Sequence, residues 1–329
     1  MFVITGATGF IGSVLAQVLE ETYDVPLIAV DTMGKGDKWK NIAKRNIKEF
    51  IAPEALSQFL QTNGQHVTAV LHMGAISSTT ETDVDKLMQD NVQYSKNLVH
   101  WSLESGKRLI YASSASTYGN GEHGYDDRED MDYLSKLSPM NPYGFSKHLV
   151  DKYIAQMATR PSGCVGLKFF NVYGPNEYHK SRQASVIKGA FDQIQQTGKM
   201  RLFRSDKEGV ADGEQMRDFI YVKDIARIVV WLLDNPQVGG LFNLGTGQAR
   251  SFKDLTAAVF KAMGKRTNIE YIDMPPDIGK HYQYFTEANM DKLLGTMHNL
   301  GAEPFTFTSL EDGIADYVKN HLMLEDAYL

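Results

Sequence analysis

Tyr143 and Lys147 stand four residues apart in the stretch Asn141-Pro142-Tyr143-Gly144-Phe145-Ser146-Lys147, whose Asn-Pro opening reads as a helix start. Positions i and i+4 share a helix face, so a phenol and an ammonium would project side by side. A neighbouring cation favours an ionised phenol, which makes the pair a candidate general base. With 16 tyrosines in the chain, such a pair arises readily by chance, and its meaning rests on its surroundings. The apolar run Leu109-Ile110-Tyr111-Ala112 breaks into Ser113-Ser114-Ala115-Ser116-Thr117-Tyr118-Gly119, fewer than 30 residues before Tyr143. A serine there could hold the substrate oxygen that a phenolate deprotonates, although strand-end serines also serve as caps and turns.

Such a base needs something to act with. Phe2-Val3-Ile4-Thr5 is a β-branched apolar run, followed by Gly6-x-x-Gly9-x-x-Gly12 and then by the helix-like Ser13 to Glu20. Strand, glycine turn and helix in this order let a backbone approach a pyrophosphate and meet its charge with the positive helix end. The next apolar run, Leu27 to Val30, ends in Asp31, 19 residues after Gly12, where an acid binds adenosine ribose hydroxyls. Glycine turns are also common as plain structure, and the acid at this distance is what makes a dinucleotide site the better reading. Lys35, Lys38, Lys40, Lys44, Arg45 and Lys48 follow. They read either as a solvated loop and helix face or as including a partner for a 2′-phosphate, which favours NADP over NAD.

The elements that would position these groups alternate. Val67 to Ala75 is a buried-strand pattern running into small residues, and Asp83 to Ser105 has helical apolar spacing with a stop at Gly106. Gly166 to Pro175 is a further strand. This alternation predicts βαβ units and a doubly wound parallel sheet over residues 1–175. Ligands in such sheets sit at the carboxyl ends of the strands. Beyond Asn176 the pattern loosens: a polar loop with His179 and Lys180, a helix over 184–196, a strand over 200–203, an exposed acidic loop over 206–214, and a strand at 217–222. A helix to Asp234, the strand 241–247, a helix capped by Ser251, a strand at 269–272, a loop at Pro275-Pro276 and a final helix at 310–322 complete it. The expected organisation is a dinucleotide domain of 1–175 with returning segments near 218–247 and 286–329. A smaller α/β substrate domain takes 176–217 and 248–285.

The 329 residues carry 43% hydrophobic and 22% charged residues with net charge −6, which argues against a broad nucleic-acid surface. The one cysteine, Cys164, lies in an apolar run and reads as a buried structural thiol in a reducing compartment. With no long apolar stretch and no leader-like start, a cytoplasmic location is expected. The nine histidines show no metal-ligand spacing.

Taken together, Gly6-x-x-Gly9-x-x-Gly12, Ser114 in its serine string, Tyr143-x-x-x-Lys147 and Phe170-Asn171-Val172-Tyr173-Gly174-Pro175 resemble the extended short-chain dehydrogenase/reductase superfamily. Its Rossmann sheet is the doubly wound one expected above. Within it, Ser77-Ser78-Thr79-Thr80-Glu81, Asn171 to Lys180, Phe242 to Gly247 and Tyr282-Gln283-x-Phe285-Thr286 resemble the ADP-heptose 6-epimerase family.

The resemblance implies an NADP-dependent isomerase that oxidises C6″ of an ADP-heptose transiently and returns hydride without fixed stereochemistry. This supplies a precursor of lipopolysaccharide core. It implies Ser114, Tyr143, Lys147 and Lys180 as catalytic residues, Lys180 being a second acid/base. Gly6, Gly9, Phe10, Ile11, Gly12, Asp31, Lys38, Met73, Gly74, Ala75, Ser77, Asn91, Lys147 and Val172 would hold the cofactor. Ser114, Asn171, Phe203, Arg217 and Tyr282 would hold the substrate, and a ring of identical subunits, usually a pentamer, is implied. Pro53 stands where the family commonly has a lysine, and Arg182 and Gly189 where it has a serine and a histidine. The alternatives are a UDP-sugar 4-epimerase and a non-catalytic NADP-binding sensor. Elimination chemistry is disfavoured, because Ala115-Ser116 occupy the place of the Asp-Glu pair of related dehydratases.

Overall fold

The computed structural model describes residues 1–275 and 282–329. Pro276, expected in a loop with Pro275, lies outside the described residues. The strands in chain order are β1 (Phe2–Thr5), β2 (Leu27–Val30), β3 (Ile47–Ile51), β4 (Ala69–His72), β5 (Arg108–Ser114), β6 (Cys164–Phe169), β7 (Asn171–Tyr173), β8 (Met200–Phe203), β9 (Met216–Tyr221), β10 (Gly240–Leu244), β11 (Ala249–Ser251) and β12 (Ile269–Ile272). The α-helices are α1 (Phe10–Thr22), α2 (Leu56–Asn63), α3 (Val84–Leu87), α4 (Tyr94–Ser105), α5 (Met131–Leu134), α6 (Pro142–Gln156), α7 (Val186–Thr197), α8 (Val222–Asp234), α9 (Phe252–Ala262), α10 (Asp291–Asn299) and α11 (Leu310–Tyr317). No helix among the described residues is long and apolar enough to cross a membrane.

The chain divides into two compact units: residues 1–169 with 225–243 and 329, and residues 170–224 with 244–328. The first is built on a seven-stranded sheet of order β10-β6-β5-β4-β1-β2-β3, and its pairs from β3 to β6 are parallel. Strands β1, β2, β4 and β6 are buried along their whole length, as strands covered on both faces must be. On one face Val3, Ile28, Val70 and Leu109 pack against Leu56 and Leu60 of α2, Leu98 and Val99 of α4, and Val150 and Ile154 of α6. This is the doubly wound Rossmann sheet expected from the sequence. Chain order reverses between β1 and β4, which opens a crevice at their carboxyl ends.

Several local expectations shift. Residues 83–105 form three pieces, because a π-turn over Met88–Gln93 separates α3 from α4, and Gly106 ends the last with φ +65°. The lysine-rich stretch contains an edge strand, β3, whose central residues are exposed. In the second unit β7 pairs parallel with β9 and β9 antiparallel with β11, while β8 pairs parallel with β12. Of the segments expected to return to the first sheet, β10 joins it, but β9 does not. Residues 286–328 lie in the second unit as well. The reason is packing: α11 buries Leu310, Gly313, Ile314 and Tyr317, and Gly313 abuts Tyr173 and Tyr221 of that unit.

Candidate active site

The glycine turn is shaped by close backbone approach. Gly6 has φ +66°, and a Cβ on it would lie 2.7 Å from the Gly74 Cα. A side chain at Gly12 would overlap the Gly6 carbonyl oxygen. Gly9 opens α1 without a side-chain cap, leaving the positive end of this 13-residue helix to an anion. Phe10 is buried, while Ile11 is half-buried. At the end of β2, Asp31 accepts hydrogen bonds from the Thr8 N–H (2.9 Å), the Thr8 hydroxyl (2.6 Å), the Thr32 N–H (2.7 Å) and the Lys38 ammonium (2.7 Å). Asp31 and Lys38 therefore form one cluster beside the glycine turn, and this cradle fits a pyrophosphate-bearing dinucleotide.

Next to it, the loop after β4 carries Met73, Gly74, Ala75 and Ser77, and polar groups beneath fix it. The Gly74 N–H donates to the Thr5 hydroxyl oxygen (3.0 Å), which leaves the Thr5 proton for His72 Nδ1 (2.7 Å). His72 Nε2 meets Ser95 Oγ at 2.9 Å, and the Ser95 hydroxyl donates to the Asn91 carbonyl (2.5 Å). This chain of donors assigns one neutral tautomer, with the proton on Nε2. Burial agrees, holding the imidazole down to about 3. Asn91, a cofactor residue by resemblance, is fully buried. Its amide accepts from the Ile76 N–H (2.8 Å) and donates to the Ile76 carbonyl (3.0 Å) and Ser146 Oγ (3.0 Å). Its side chain thus ties the loop to α6.

The third part is Ser114, Tyr143 and Lys147. Asn141 caps α6 by accepting from the Gly144 N–H (2.8 Å), and Pro142 fills the first turn. A Cβ at Gly144 would lie 2.7 Å from the Ser116 carbonyl oxygen, so only glycine lets α6 lie this close to the turn after β5. That approach sets the first turn of α6, which carries Tyr143, against the turn that Ser114 opens. Ser114 also caps its own turn, its Oγ accepting from the Ser116 N–H (3.1 Å). Lys147 is buried and donates to the Ala112 carbonyl at 2.8 Å. The sequence argument had Lys147 lowering the phenol's pKa. In the protein alone the phenol goes the other way: burial raises it above the ordinary tyrosine value, and Ser114 offsets this in part. The ammonium is itself pushed down to about 8 by burial, against the pull of Asp151.

The second unit gathers the remaining residues in two groups. The Arg217 guanidinium, buried on β9, lies 5.3 Å from the Tyr282 ring centre and 5.6 Å from that of Phe252, and it donates to the Met216 carbonyl (2.8 Å). Phe203 meets Tyr282 edge to face at 6.3 Å. Phe203, Arg217 and Tyr282 are thus brought together around one cation. Asn171 is exposed and Val172 half-buried on β7. Lys180 lies apart from the Arg217 cluster in sequence and setting, in a 3-10 turn over Tyr178–Gln183. Burial lowers its pKa and Glu177 raises it. The Cys164 thiol is buried and pushed up to about 12, which suits an inert structural role.

A model of the NAD dependent epimerase/dehydratase family matches residues 2–245. The chain belongs to that family. Relatives of this epimerase/dehydratase chain include a protein of Nitratidesulfovibrio vulgaris (strain DP4) named ADP-L-glycero-D-manno-heptose-6-epimerase, 47% identical with both chains fully covered. A Fusobacterium nucleatum protein of the same name is 44% identical, again over the full length of both. Among solved structures, Helicobacter pylori ADP-L-glycero-D-manno-heptose-6-epimerase superposes with a TM-score of 0.79 at 28% identity, covering 97% of this chain and 95% of that one. Reasoning from sequence passed over Thr8, His72, Asp151, Lys168 and Glu177. Of these, Asp151 was signalled by its place four residues after Lys147.

Proposed function

We propose that the protein is an isomerase that interconverts ADP-D-glycero-D-manno-heptose and ADP-L-glycero-D-manno-heptose. Full-length identity of 44–47% to relatives of that name supports the substrate. The observation that carries the chemistry is the close approach of Gly144 to the Ser116 carbonyl, which sets the α6 turn of Tyr143 and the buried Lys147 against the end of β5 at Ser114. The dinucleotide, when bound, supplies reversible hydride acceptance. The Gly6, Gly9 and Gly12 turn, Asp31, Lys38, the 73–77 loop and Lys147 would hold it.

Tyr143 takes the proton of the C6″ hydroxyl while Ser114 holds that oxygen. Loss of hydride from C6″ leaves a 6″-ketone, and hydride returning to the opposite face inverts the centre. A single phenol serves one orientation of the ketone best, so Lys180 exchanges the proton in the other. Arg217, between Phe252 and Tyr282, is suited to a diphosphate, because a guanidinium forks onto phosphate oxygens and stacks on rings. The lysine beside Asp31 favours NADP. Placing the reaction in the cytoplasm and in a homo-oligomer belongs to the same reading.

NMR of ADP-D-glycero-D-manno-heptose incubated with the protein tests this. Inversion at C6″ is expected. No inversion with a dinucleotide verified as bound, or turnover of UDP-galactose in its place, overturns the reading. Mass spectrometry of the dinucleotide released from purified protein decides NADP against NAD.

A further inference from the structure

Beneath the catalytic groups of the first unit lies an ion pair that the reaction does not touch. Asp151 and Lys168 are both 0% exposed and meet at 2.8 Å. Their polar atoms are fully engaged. Asp151 Oδ2 also accepts from the Ser113 hydroxyl (2.8 Å), and Oδ1 accepts from the Tyr111 hydroxyl (3.2 Å). The Lys168 ammonium donates to Thr117 Oγ1 (2.5 Å) and stands 4.6 Å from the Tyr118 ring centre. On average a buried pair adds little stability over well-packed apolar residues. Its presence here calls for another account, and its connections supply one.

We propose that Asp151 and Lys168 are positioning residues for the site: through one arm they fix Ser114, and through the other Asp151 sets a carboxylate one turn beyond Lys147 on α6. This rests on the reading of Ser114, Tyr143 and Lys147 as the catalytic set. The first arm runs from Lys168 to Thr117, whose hydroxyl donates to the Ser114 carbonyl (2.8 Å), while Asp151 holds the adjoining Ser113. The second arm is the helix itself. Asp151 lies one turn beyond Lys147 on the same face of α6.

The groups facing Lys147 decide what that second arm does. From α6 come Tyr143, His148 and Asp151, and from β4 comes His72. Burial keeps His72 and His148 neutral, at about 3 and about 4. Asp151 is thus the carboxylate that opposes the effect of burial on Lys147. Without it, Lys147 would lose its proton at lower pH, and the catalytic set would lose its cation with it.

The test is the pH profile of epimerisation. Asp151→Asn with Lys168→Met removes both charges together, leaving no lone buried ion. The expected variant folds, loses about tenfold in kcat with KM little changed, and shows its alkaline limb about one pH unit lower. Asp151→Glu with Lys168→Arg is expected to restore the profile. Thr117→Val cuts the Ser114 arm alone and should lower kcat several-fold with the alkaline limb in place. A folded double variant with the wild-type kcat and profile would overturn the proposal. If the double variant does not fold, Thr117→Val carries the test, and undiminished kcat there overturns it. Tyr143→Phe run alongside separates the two readings: full turnover in that variant sinks the site itself, whereas its loss beside an unaffected pair sinks only the pair.

Discussion

Lys147 and Lys180 are both pushed down by burial and drawn back by one carboxylate, yet the chain holds them by different means. Lys147 sits in regular helix, behind a capped first turn, with its ammonium on the Ala112 carbonyl and its carboxylate four residues later. Lys180 sits in a short turn, and Ser181 after it takes φ 49° and ψ −117°, a conformation that a side chain adopts at a cost. Its carboxylate, Glu177, comes three residues earlier and acts as a clasp. Glu177 accepts from the Ser185 N–H (2.5 Å), the Ser185 hydroxyl (2.7 Å) and the Gly174 N–H (3.3 Å), drawing together both ends of the loop that carries Lys180. One lysine is fixed by secondary structure and the other by a strained loop. Under the proposed reaction that division has a use. The group beside the hydride path must not move, while the group serving the turned-over ketone must suit a second pose.

The comparison breaks first at the lysines. Lys180→Met is expected to lower epimerisation by about 10²-fold or more with dinucleotide affinity unchanged, whereas Lys147→Met should lose both. Fluorescence titration with NADPH beside an NMR turnover assay reads the two effects. Equal retention of binding and turnover in Lys180→Met would remove the second acid/base. A smaller effect is expected from Glu177→Gln, about tenfold in kcat, the size of one charge-assisted hydrogen bond. Limited proteolysis should then cut faster between residues 174 and 185, and an unchanged cutting rate would deny the clasp.

Gly144→Ala tests the rigid side. The added methyl meets backbone at Ser116, so a loss of about 1–3 kcal/mol in urea unfolding is expected. A pH-dependent effect concerns His72. Its native pKa of about 3 lies below the ordinary 6.5, so between these values the unfolded chain binds the extra proton. Stability therefore rises with pH in that window and is lost as pH falls below 6.5, by up to about 1.4 kcal/mol per unit. His72→Gln should flatten that slope, as equilibrium unfolding across the acid range would reveal.

The parts legible in the sequence were those with a local signal. The tight turn at Gly6 and Gly12 follows from what close backbone approach demands, and the parallel sheet follows from alternating buried runs. Edge strand β3 was missed because Lys48, Glu49 and Phe50 are exposed and show no apolar alternation. The π-turn was missed because nothing in Met88–Gln93 departs from helix composition. The clustering of Phe203, Arg217 and Tyr282 joins residues far apart in the chain, and only the resemblance named them together. The behaviour of the Tyr143 phenol was misjudged for a different reason. Spacing announces that a cation is near, but not that its ammonium is turned to a carbonyl, nor that burial outweighs it.

The π-turn has one further consequence. A π-turn is an α-helix with a residue too many, so everything after it is rotated by about 100° from where an unbroken helix would place it. Within it Asn91 bonds to Ile76, and just after it Ser95 bonds to His72. The loop after β4, proposed to meet the dinucleotide, is thus set by a count of residues as much as by their kinds. A one-residue deletion within 88–93 would mend the helix and silence the site, leaving a protein more regular than the one that works.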